Sequence, residues 1–336
     1  MALAPILRRW FEHDAEPTDT DIKLAFDTFL NHEADPVVQA AFLTYLRCRG
    51  ETVTFLTCAA EILREHMIPL HAALPLVLDT CGTGGDGKGY FNVSTAAALL
   101  IAATGTPVAK HGNRSFSSAS GSADVLNALH IPIDLPPERA SECLRSSGFV
   151  FCFAPHYHPA MKRVADVRKQ LGFRTLFNLI GPLTNPAKPS HQLIGCPHPR
   201  LAALLAQTIC QLGTQRTIIV SGSDGSDEVS LEGMTHVWTI ERNQLHQSAW
   251  HASDFGLPSE PLEACRITDA ASSAKVIEQI FHDPTAPGAQ LVLINASAGL
   301  LAAGRVESLL EGLTLAKNAL ASGAALQLLH NLRKFH

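Results

Sequence analysis

The sequence predicts an α/β protein: a small, mostly helical region leading into a larger domain built on a central, mainly parallel sheet. Two observations predict it. Residues 1–68 carry helix signals only. From Pro75 onward, short apolar runs alternate with helical segments, the pattern of a parallel sheet covered by helices. A third observation places the chemistry. Asp79–Ser122, DTCGTGGDGKGYFNVSTAAALLIAATGTPVAKHGNRSFSSASGS, holds 8 of the 23 glycines and closes on a serine-rich run.

The elements follow in order. Thr18-x-x-Asp21 caps a helix over IKLAFDTFL. Asp35-Pro36 supplies an N-cap and an N1 proline for VVQAAFLTYLRCR, which Gly50 ends. Phe42, Leu43 and Leu46 share one face of it. ETVTFLTCAAEILREHM is a fourth helix. No cluster of catalytic residue types occurs here, so this region reads as a helical cap or a dimerisation surface. LPLVLD is a strand that runs straight into the glycine loop. NVSTAAALLIAATG is a helix ended by Gly105, and TPVAKHG is a strand and loop. SADVLNALH and PPERASECLRSSG are helices, and FVFCFAP is a strand. Residues 155–195 read as irregular, with a helix over MKRVADVRKQL and turn chemistry at GPLTNP. RLAALLAQTICQLG is a helix, RTIIVSG a strand and SDGSDE a polar loop. THVWTIE and GAQLVLINAS read as strands, and the alanine- and leucine-rich end is helical.

Composition narrows the function class. With 46% hydrophobic and 17% charged residues among 336, the chain buries a core readily and is not disordered. A net charge of −5 argues against a dedicated nucleic-acid binder. No apolar run reaches transmembrane length, and MALAPILRRWFEHD lacks the apolar core and cleavage site of a signal peptide. The eight cysteines form no C-x-x-C pair and sit mostly in apolar segments. They read as reduced thiols of a cytoplasmic protein. The closest histidine pair, His156-x-His158, reads as packing rather than metal binding.

The glycine loop fits two phosphate-binding patterns imperfectly. Gly82-Thr-Gly84-Gly-Asp-Gly87 matches G-x-G-x-x-G between a strand and a helix. An NAD site would then want an acidic residue at the next strand end, and that strand ends in Lys110, which an NADP site would tolerate. Read instead as a Walker loop, Gly87-Lys88 is followed by Gly89, where Ser or Thr should stand. Asp86 would repel a bare triphosphate. The surroundings strengthen a phosphate reading. Asn92, Ser94 and Thr95 open the next helix, where orphan amides and the dipole favour anions. Lys110, Asn113, Arg114, Ser115, Ser117, Ser118 and Ser122 follow the next strand. Two strand ends thus bring phosphate ligands to one sheet edge. Asp227-Glu228 follows a third strand, and adjacent carboxylates with substrate phosphates suit Mg²⁺; a solvated acidic turn is the plain alternative.

Taken together, CGTGGDG, FNVSTA, VAKHGNRSFSSASGSADVL, FAPHYHPAMKRVADVRKQLGFRTLFNLIGPLTNPA and SGSDGSDEVSL resemble the anthranilate phosphoribosyltransferases of tryptophan biosynthesis. The blocks run in the family's order across residues 79–232. The resemblance implies transfer of a phosphoribosyl group from phosphoribosyl pyrophosphate (PRPP) to the amine of anthranilate, with release of pyrophosphate. It implies a fold of the nucleoside phosphorylase and phosphoribosyltransferase type. The small domain is then 1–72 with a returning segment at about 160–190, and the large domain 73–159 and 191–336. It implies a homodimer through the helical domain, no membrane or nucleic-acid partner, and Mg²⁺, two ions per monomer. The implied PRPP site is Gly82, Gly85, Asp86, Asn92, Val93, Ser94, Thr95, Lys110, His111, Gly112, Asn113, Arg114, Ser115, Phe116, Ser117, Ser118 and Ser122. Magnesium falls on Ser94, Asp227 and Glu228, and anthranilate on Gly82, Asn113 and Arg168. Tyr90 departs from the pattern: it stands where the family commonly has Ser or Thr, and puts one PRPP contact in question.

The chemistry asks little of a general base, and the sequence offers no unambiguous one. His111 is close enough in sequence to assist, with packing as its other reading. Two rival functions remain at this stage. One is a pyrimidine nucleoside phosphorylase, whose lysine-histidine-serine motif is absent from this glycine loop. The other is a non-catalytic, nucleic-acid-binding relative, against which the intact GTGGD and KHGNR and the acidic pI of about 6.3 count.

Overall fold

Four helices open the chain, in a structure known as a computed structural model that describes residues 3–12, 16–31, 34–71, 73–115 and 119–335. Helix α1 (Leu3–Glu12) buries Leu3, Ile6, Leu7 and Trp10, the i, i+3, i+4, i+7 stripe of a core-facing helix. Thr18 caps α2 (Asp19–Leu30) by accepting from Asp21 N, Asp35 caps α3 (Pro36–Arg49) through Val37 N, and Thr52 caps α4 (Val53–His66) through Phe55 N. Each cap supplies an acceptor that the first helical turn lacks.

The larger domain is built on strands β1 (Leu78–Gly82), β2 (Val108–Gly112), β3 (Phe149–Phe153), β4 (His191–Gly195), β5 (Arg216–Gly222), β6 (Thr235–Glu241) and β7 (Gln244–Trp250). They form one sheet in the order β3-β2-β1-β4-β5-β6-β7. The first five run parallel, and β6 and β7 are antiparallel. The chain leaves β1 toward β2 and β3, then returns to place β4 on the other side. That reversal of direction between β1 and β4 is where open α/β sheets bind ligands.

Alternating side chains divide the interior. On β5, Ile218 and Val220 enter one core and Ile219 the opposite one. The first core holds α5 (Val93–Ala103), α6 (Ser122–Ala128) and α7 (Pro137–Ser147). The second is reached after β3, through α8 (Ala154–Tyr157), α9 (Pro159–Lys162), α10 (Ala165–Leu171), α11 (Phe177–Ile180) and α12 (Pro199–Leu212). There Ala160, Val164, Phe177 and Leu183 join the side chains of α1–α4 in one apolar cluster. Phe177 stacks on Phe29 with ring centroids 5.5 Å apart. Helices α13 (Ala270–His282), α14 (Ala289–Ala302), α15 (Leu309–Ala321) and α16 (Ala324–Arg333) complete the first core.

Four sequence expectations change. GAQLVLINAS is not a strand but lies in α14, whose residues Leu291 to Leu300 are all buried. A helix buried all round shows no 3.6-residue period, so its apolar run reads equally as a strand. Residues 155–195 are not wholly irregular, because HQLIG forms β4, a central strand. Its first two residues are polar, and Gln192 is buried because it donates to Pro182 O at 2.8 Å and to Asp79 Oδ2 at 3.4 Å. The helix over MKRVADVRKQL is two short helices, α9 and α10. They are parted at Arg163–Val164, where Arg163 Nη1 reaches Leu30 O at 3.1 Å. Strand β1 starts at Leu78 and carries pairing into the glycine loop, beyond the LPLVLD run.

Helix α14 also steadies the loop after β5. Asn295 Oδ1 accepts from Val229 N at 2.9 Å, and its Nδ2 donates to Val229 O at 3.0 Å and Leu291 O at 2.9 Å. Asn295→Ala would orphan both main-chain groups of Val229 in the core. We expect a loss of about 2 kcal/mol or more in urea unfolding; an unchanged midpoint would mean that Asn295 holds nothing.

Candidate active site

Three loops leave the C-terminal ends of β1, β2 and β5 and surround a cavity of about 800 Å³. The first is the glycine loop. Gly85 has φ +80°, a backbone shape that favours glycine, and Arg174 Nη1 lies 1.7 Å from where a Cβ would stand. Gly82 ends β1 with little room: a Cβ would come within 2.5 Å of Asp227 Oδ2. The loop is stapled to the segment before α13. Phe91 N donates to Cys265 O and Ile267 N to Gly89 O, both at 2.8 Å. Asn92, the N-cap of α5, donates to Ser120 O at 3.1 Å and accepts from Ser273 Oγ at 2.8 Å.

Carboxylates crowd the floor of this cavity. Asp227 and Glu228 keep part of their surface open to it, yet protein surrounds them closely. Burial, helped by Asp86, pushes the Asp227 carboxyl up to about 6. Burial and Asp227 together push Glu228 well above the usual carboxylate range. Burial raises Asp86 as well. Glu228 Oε1 accepts from Ser94 N at 3.1 Å, in the first turn of α5. Lys110 is buried beneath them, its ammonium donating to Thr80 O and, at 3.2 Å, to Ser94 Oγ. Burial lowers its pKa, and Asp79, Cys81, Glu228 and Asp227 oppose that. Asp79, wholly buried, accepts from His111 N at 3.1 Å and fixes the end of β2.

The segment after β2 is organised by Asp124. Its carboxylate accepts from Arg114 Nη1 at 3.0 Å, Ser115 N at 2.9 Å and Gly121 N at 3.0 Å. Gly112 must be small, since a Cβ would meet Ser122 Oγ at 2.2 Å. His111 is buried and bonded at both ring nitrogens. Nδ1 donates to Gly181 O at 3.0 Å, which leaves Nε2 to accept from His158 Nε2 at 3.3 Å. Burial pulls His111 down to about 3 and His158 to about 4, so both are neutral at pH 7.

Most sequence-predicted positions meet in this cavity. Gly82, Gly85, Asp86, Tyr90, Asn92, Ser94, Lys110–Ser115, Ser122, Arg168, Asp227 and Glu228 all line it. Two do not. Val93 turns into the core, and its amide is bonded to Phe91 O at 2.6 Å. Thr95 is fully buried, with no hydrogen-bond partner for Oγ1 among the described residues. The reason is helical geometry, since only one side of the first turn of α5 faces the loops. Phe116, Ser117 and Ser118 lie outside the described residues. Tyr90 lines the cavity, half-buried, and its backbone pairs with Arg266; burial pushes its phenol up to about 12.

Arg168 forms no ion pair among the described residues. Its guanidinium sits over Phe177, 5.5 Å from the ring centroid, and burial lowers its pKa. Sequence reasoning missed Arg174. This exposed side chain lines the cavity and donates to Gly84 O at 3.2 Å from both Nη1 and Nη2, clamping the glycine loop. It lies within the FAPHYHPAMKRVADVRKQLGFRTLFNLIGPLTNPA block that resembles the family, but nothing there marks its partner.

Comparisons with known proteins agree with this geometry. The a/b domain of the glycosyl transferase family matches residues 74–326, and that family's helical bundle domain matches 4–67. Anthranilate phosphoribosyltransferase of Symbiobacterium thermophilum is 43% identical over 318 residues, covering 95% of this chain and 93% of the relative. The enzyme of Halalkalibacterium halodurans is 45% identical, covering 92% and 90%. Among solved structures, the crystal structure of anthranilate phosphoribosyltransferase from Thermus thermophilus superposes with a TM-score of 0.88 at 39% identity, covering 96% of each chain. The Saccharomyces cerevisiae enzyme in complex with PRPP and Mg gives a TM-score of 0.84 at 28% identity, covering 94% of this chain and 92% of that one.

The buried histidines set a pH limit on stability. Their folded pKa values lie below the unfolded value of about 6.5, so the unfolded chain takes up protons first as pH falls. Their contribution is complete above about pH 6.5 and is lost on the way down to their folded values. In urea unfolding, the stability gap between the native chain and His158→Gln should narrow by roughly 2 kcal/mol from pH 7 to pH 5. A gap independent of pH would show that His158 is not buried neutral.

Proposed function

Because the chain belongs to the anthranilate phosphoribosyltransferase family, we propose that it transfers the phosphoribosyl group of PRPP to the amine of anthranilate, releasing pyrophosphate. The observation that carries this reading is the convergence of the glycine loop, the start of α5, the Lys110–Ser115 segment and Asp227-Glu228 on one cavity at the sheet's switch point. Neither a phosphorylase nor a nucleic-acid-binding role draws support from a specific feature of that cavity.

We assign PRPP to Gly82, Gly85, Asp86, Asn92, Ser94, Lys110–Ser118 and Ser122, with Val93 and Thr95 acting from behind the cavity wall. Mg²⁺ fits the donor set. Two adjacent carboxylates stand open to the cavity while burial strains their ionised forms, and Mg²⁺ uses few carboxylates alongside substrate phosphates. Ser94, Asp227 and Glu228 would hold it, two ions per monomer. Bound there, the metal would neutralise negative charge gathering on the departing pyrophosphate.

The chain's own residues do the rest by position. Lys110 fixes the Ser94 hydroxyl and ties it to β1. Asn113 and the glycine loop present polar groups where the leaving group's charge grows, a preorganised environment that needs no rearrangement. Arg168, charged and without a carboxylate partner, suits a two-point grip on the anthranilate carboxylate, with Gly82 and Asn113 beside it. Holding the amine against the sugar carbon makes the encounter effectively unimolecular. His111 is a weak base with its lone pair engaged, so we assign it a positioning role.

We assign the small domain to 1–72 with the returning segment of about 160–190; the two share an apolar cluster, which also takes in α12 and side chains of β4, β5 and β6. The large domain is then 73–159 with 191–336. A homodimer through the helices is supported by Phe11 and Val37, 66% and 77% exposed there. A cytoplasmic location is supported by eight free cysteines. No helix among the described residues is long and apolar enough to cross a membrane.

Loss of anthranilate fluorescence in the presence of PRPP and Mg²⁺ tests the activity directly; no loss would refute it. Replacing Asp227 and Glu228 together by Ala should abolish Mg²⁺-dependent turnover with the circular dichroism spectrum unchanged. Turnover at the native level would remove the metal assignment. Arg168→Ala should raise the KM for anthranilate about 10- to 100-fold, from the loss of charge-assisted hydrogen bonds, and leave the KM for PRPP nearly unchanged. Equal rises would mean that Arg168 does not read the carboxylate.

A further inference from the structure

A second cavity, about 310 Å³, opens at the opposite edge of the sheet, by the N-terminal ends of β4 and β5. Arg64 of α4 and Lys188 line it, with Ser190, Gln192, Thr214 and Gln215, and no Asp or Glu is among the described residues around it. That charge pattern is unusual in a chain of net charge −5.

Arg64 is the central group. Nε donates to Leu183 O at 2.7 Å, and the guanidinium forms no ion pair among the described residues. Glu61, one turn back, is engaged by Lys23 Nζ at 2.8 Å. Lys188 is exposed at the rim and its ammonium likewise forms no ion pair among the described residues. A partly buried arginine with spare donors, next to a lysine and hydroxyl and amide groups, is the chemistry that recognises carboxylates and phosphates.

The cavity also touches the seat of His111. Three successive carbonyls of the Gly181–Leu183 turn are each held by a different element. Gly181 O accepts from His111 Nδ1 at 3.0 Å, Pro182 O from Gln192 Nε2 at 2.8 Å and Leu183 O from Arg64 Nε at 2.7 Å. The turn therefore lines the Arg64 cavity with Pro182 and Leu183, and at Gly181 it holds His111, which lines the active-site cavity. We propose that the Arg64 cavity is a separate binding site for a small carboxylate or phosphate anion, and that its occupancy is transmitted to His111 through this turn. An anion competing for the guanidinium changes the hold on Leu183 O, and the same rigid turn positions the imidazole. Any effect of the anion on ligand binding at the active site must then be returned in kind.

Calorimetric titration of the full-length chain, with magnesium pyrophosphate saturating the active-site cavity, tests this. Inorganic phosphate and succinate are the two probes. At least one should bind saturably, and the tighter of them identifies the anion as phosphate or carboxylate. Arg64→Met should weaken that binding at least about tenfold, the worth of a charge-assisted pair. Lys188→Ala, an exposed change that spares the fold, should weaken it about threefold. The imidazole NMR signals of His111 should shift on binding in the native chain. No saturable binding by either probe would overturn the site, as would binding that neither variant weakens. Binding without any His111 shift would overturn the link.

Discussion

The structure depends on holding Asp227, Glu228 and Asp79 close to one buried ammonium. Among the described residues, Lys110 is the only lysine or arginine that is buried. It lies under a floor of carboxylates that burial has already pushed toward neutrality. Ionised groups so placed need compensation, since unpaired buried charge is costly. Part of it comes from Lys110, and part from the first turn of α5, whose Ser94 amide bonds Glu228 at 3.1 Å. The remainder is negative charge facing the cavity. That is the charge environment on which the proposed Mg²⁺ site rests.

The same constraint shapes the strand ends. Asp227 reaches the cavity only because β1 and β4 both end in glycine. A Cβ on Gly195 would lie 1.7 Å from Asp227 O, and one on Gly82 2.5 Å from Asp227 Oδ2. These two strands pair with each other at that level, Gly82 opposite Gly195. The absence of two side chains therefore opens the slot through which the β5 loop crosses the top of β4 to meet β1. Sheet order and site geometry are one arrangement, because β4 must be narrow where it stands between the loops that share the cavity.

Much of the fold and most of the site were legible in the sequence. What was legible was local. Caps at Thr18, Asp35 and Thr52, the glycine loop, and the polar run after β2 all declare themselves within a few residues. What was missed depends on partners far along the chain. Strand β4 opens with His191 and Gln192, and Gln192 is tolerable inside because Pro182 O and Asp79 receive it. Helix α14 is apolar on every side and so hides its period. Arg174 acts on main-chain carbonyls of residues about ninety positions earlier, contacts that no spacing rule predicts. His111 and His158 meet across 47 positions. Lys110 was legible as a residue of the site, but its task is to hold Thr80 O and Ser94 Oγ from below.

The geometry also explains why the glycine loop satisfies neither of the phosphate-binding patterns it approaches. A dinucleotide fold needs a carboxylate at the end of the second strand for a ribose; here β2 ends in His111-Gly112, and Lys110 inside it turns its ammonium into the floor, where it is occupied. A Walker loop needs its own lysine on the phosphates and a hydroxyl after it. Here Lys88 instead lies near Gly225, at 3.7 Å from where a Cβ would stand, and Gly89 is drawn into pairing with Ile267. The loop is thus bound to the rest of the protein at its far end by Cys265–Ile267 and at its near end by Arg174, with Asp86 between them facing the cavity. Glycines fixed at both ends in this way do not wrap a phosphate chain. They leave one wall of the cavity open beside Asp227 and Glu228, where the proposed cation-bound pyrophosphate would sit.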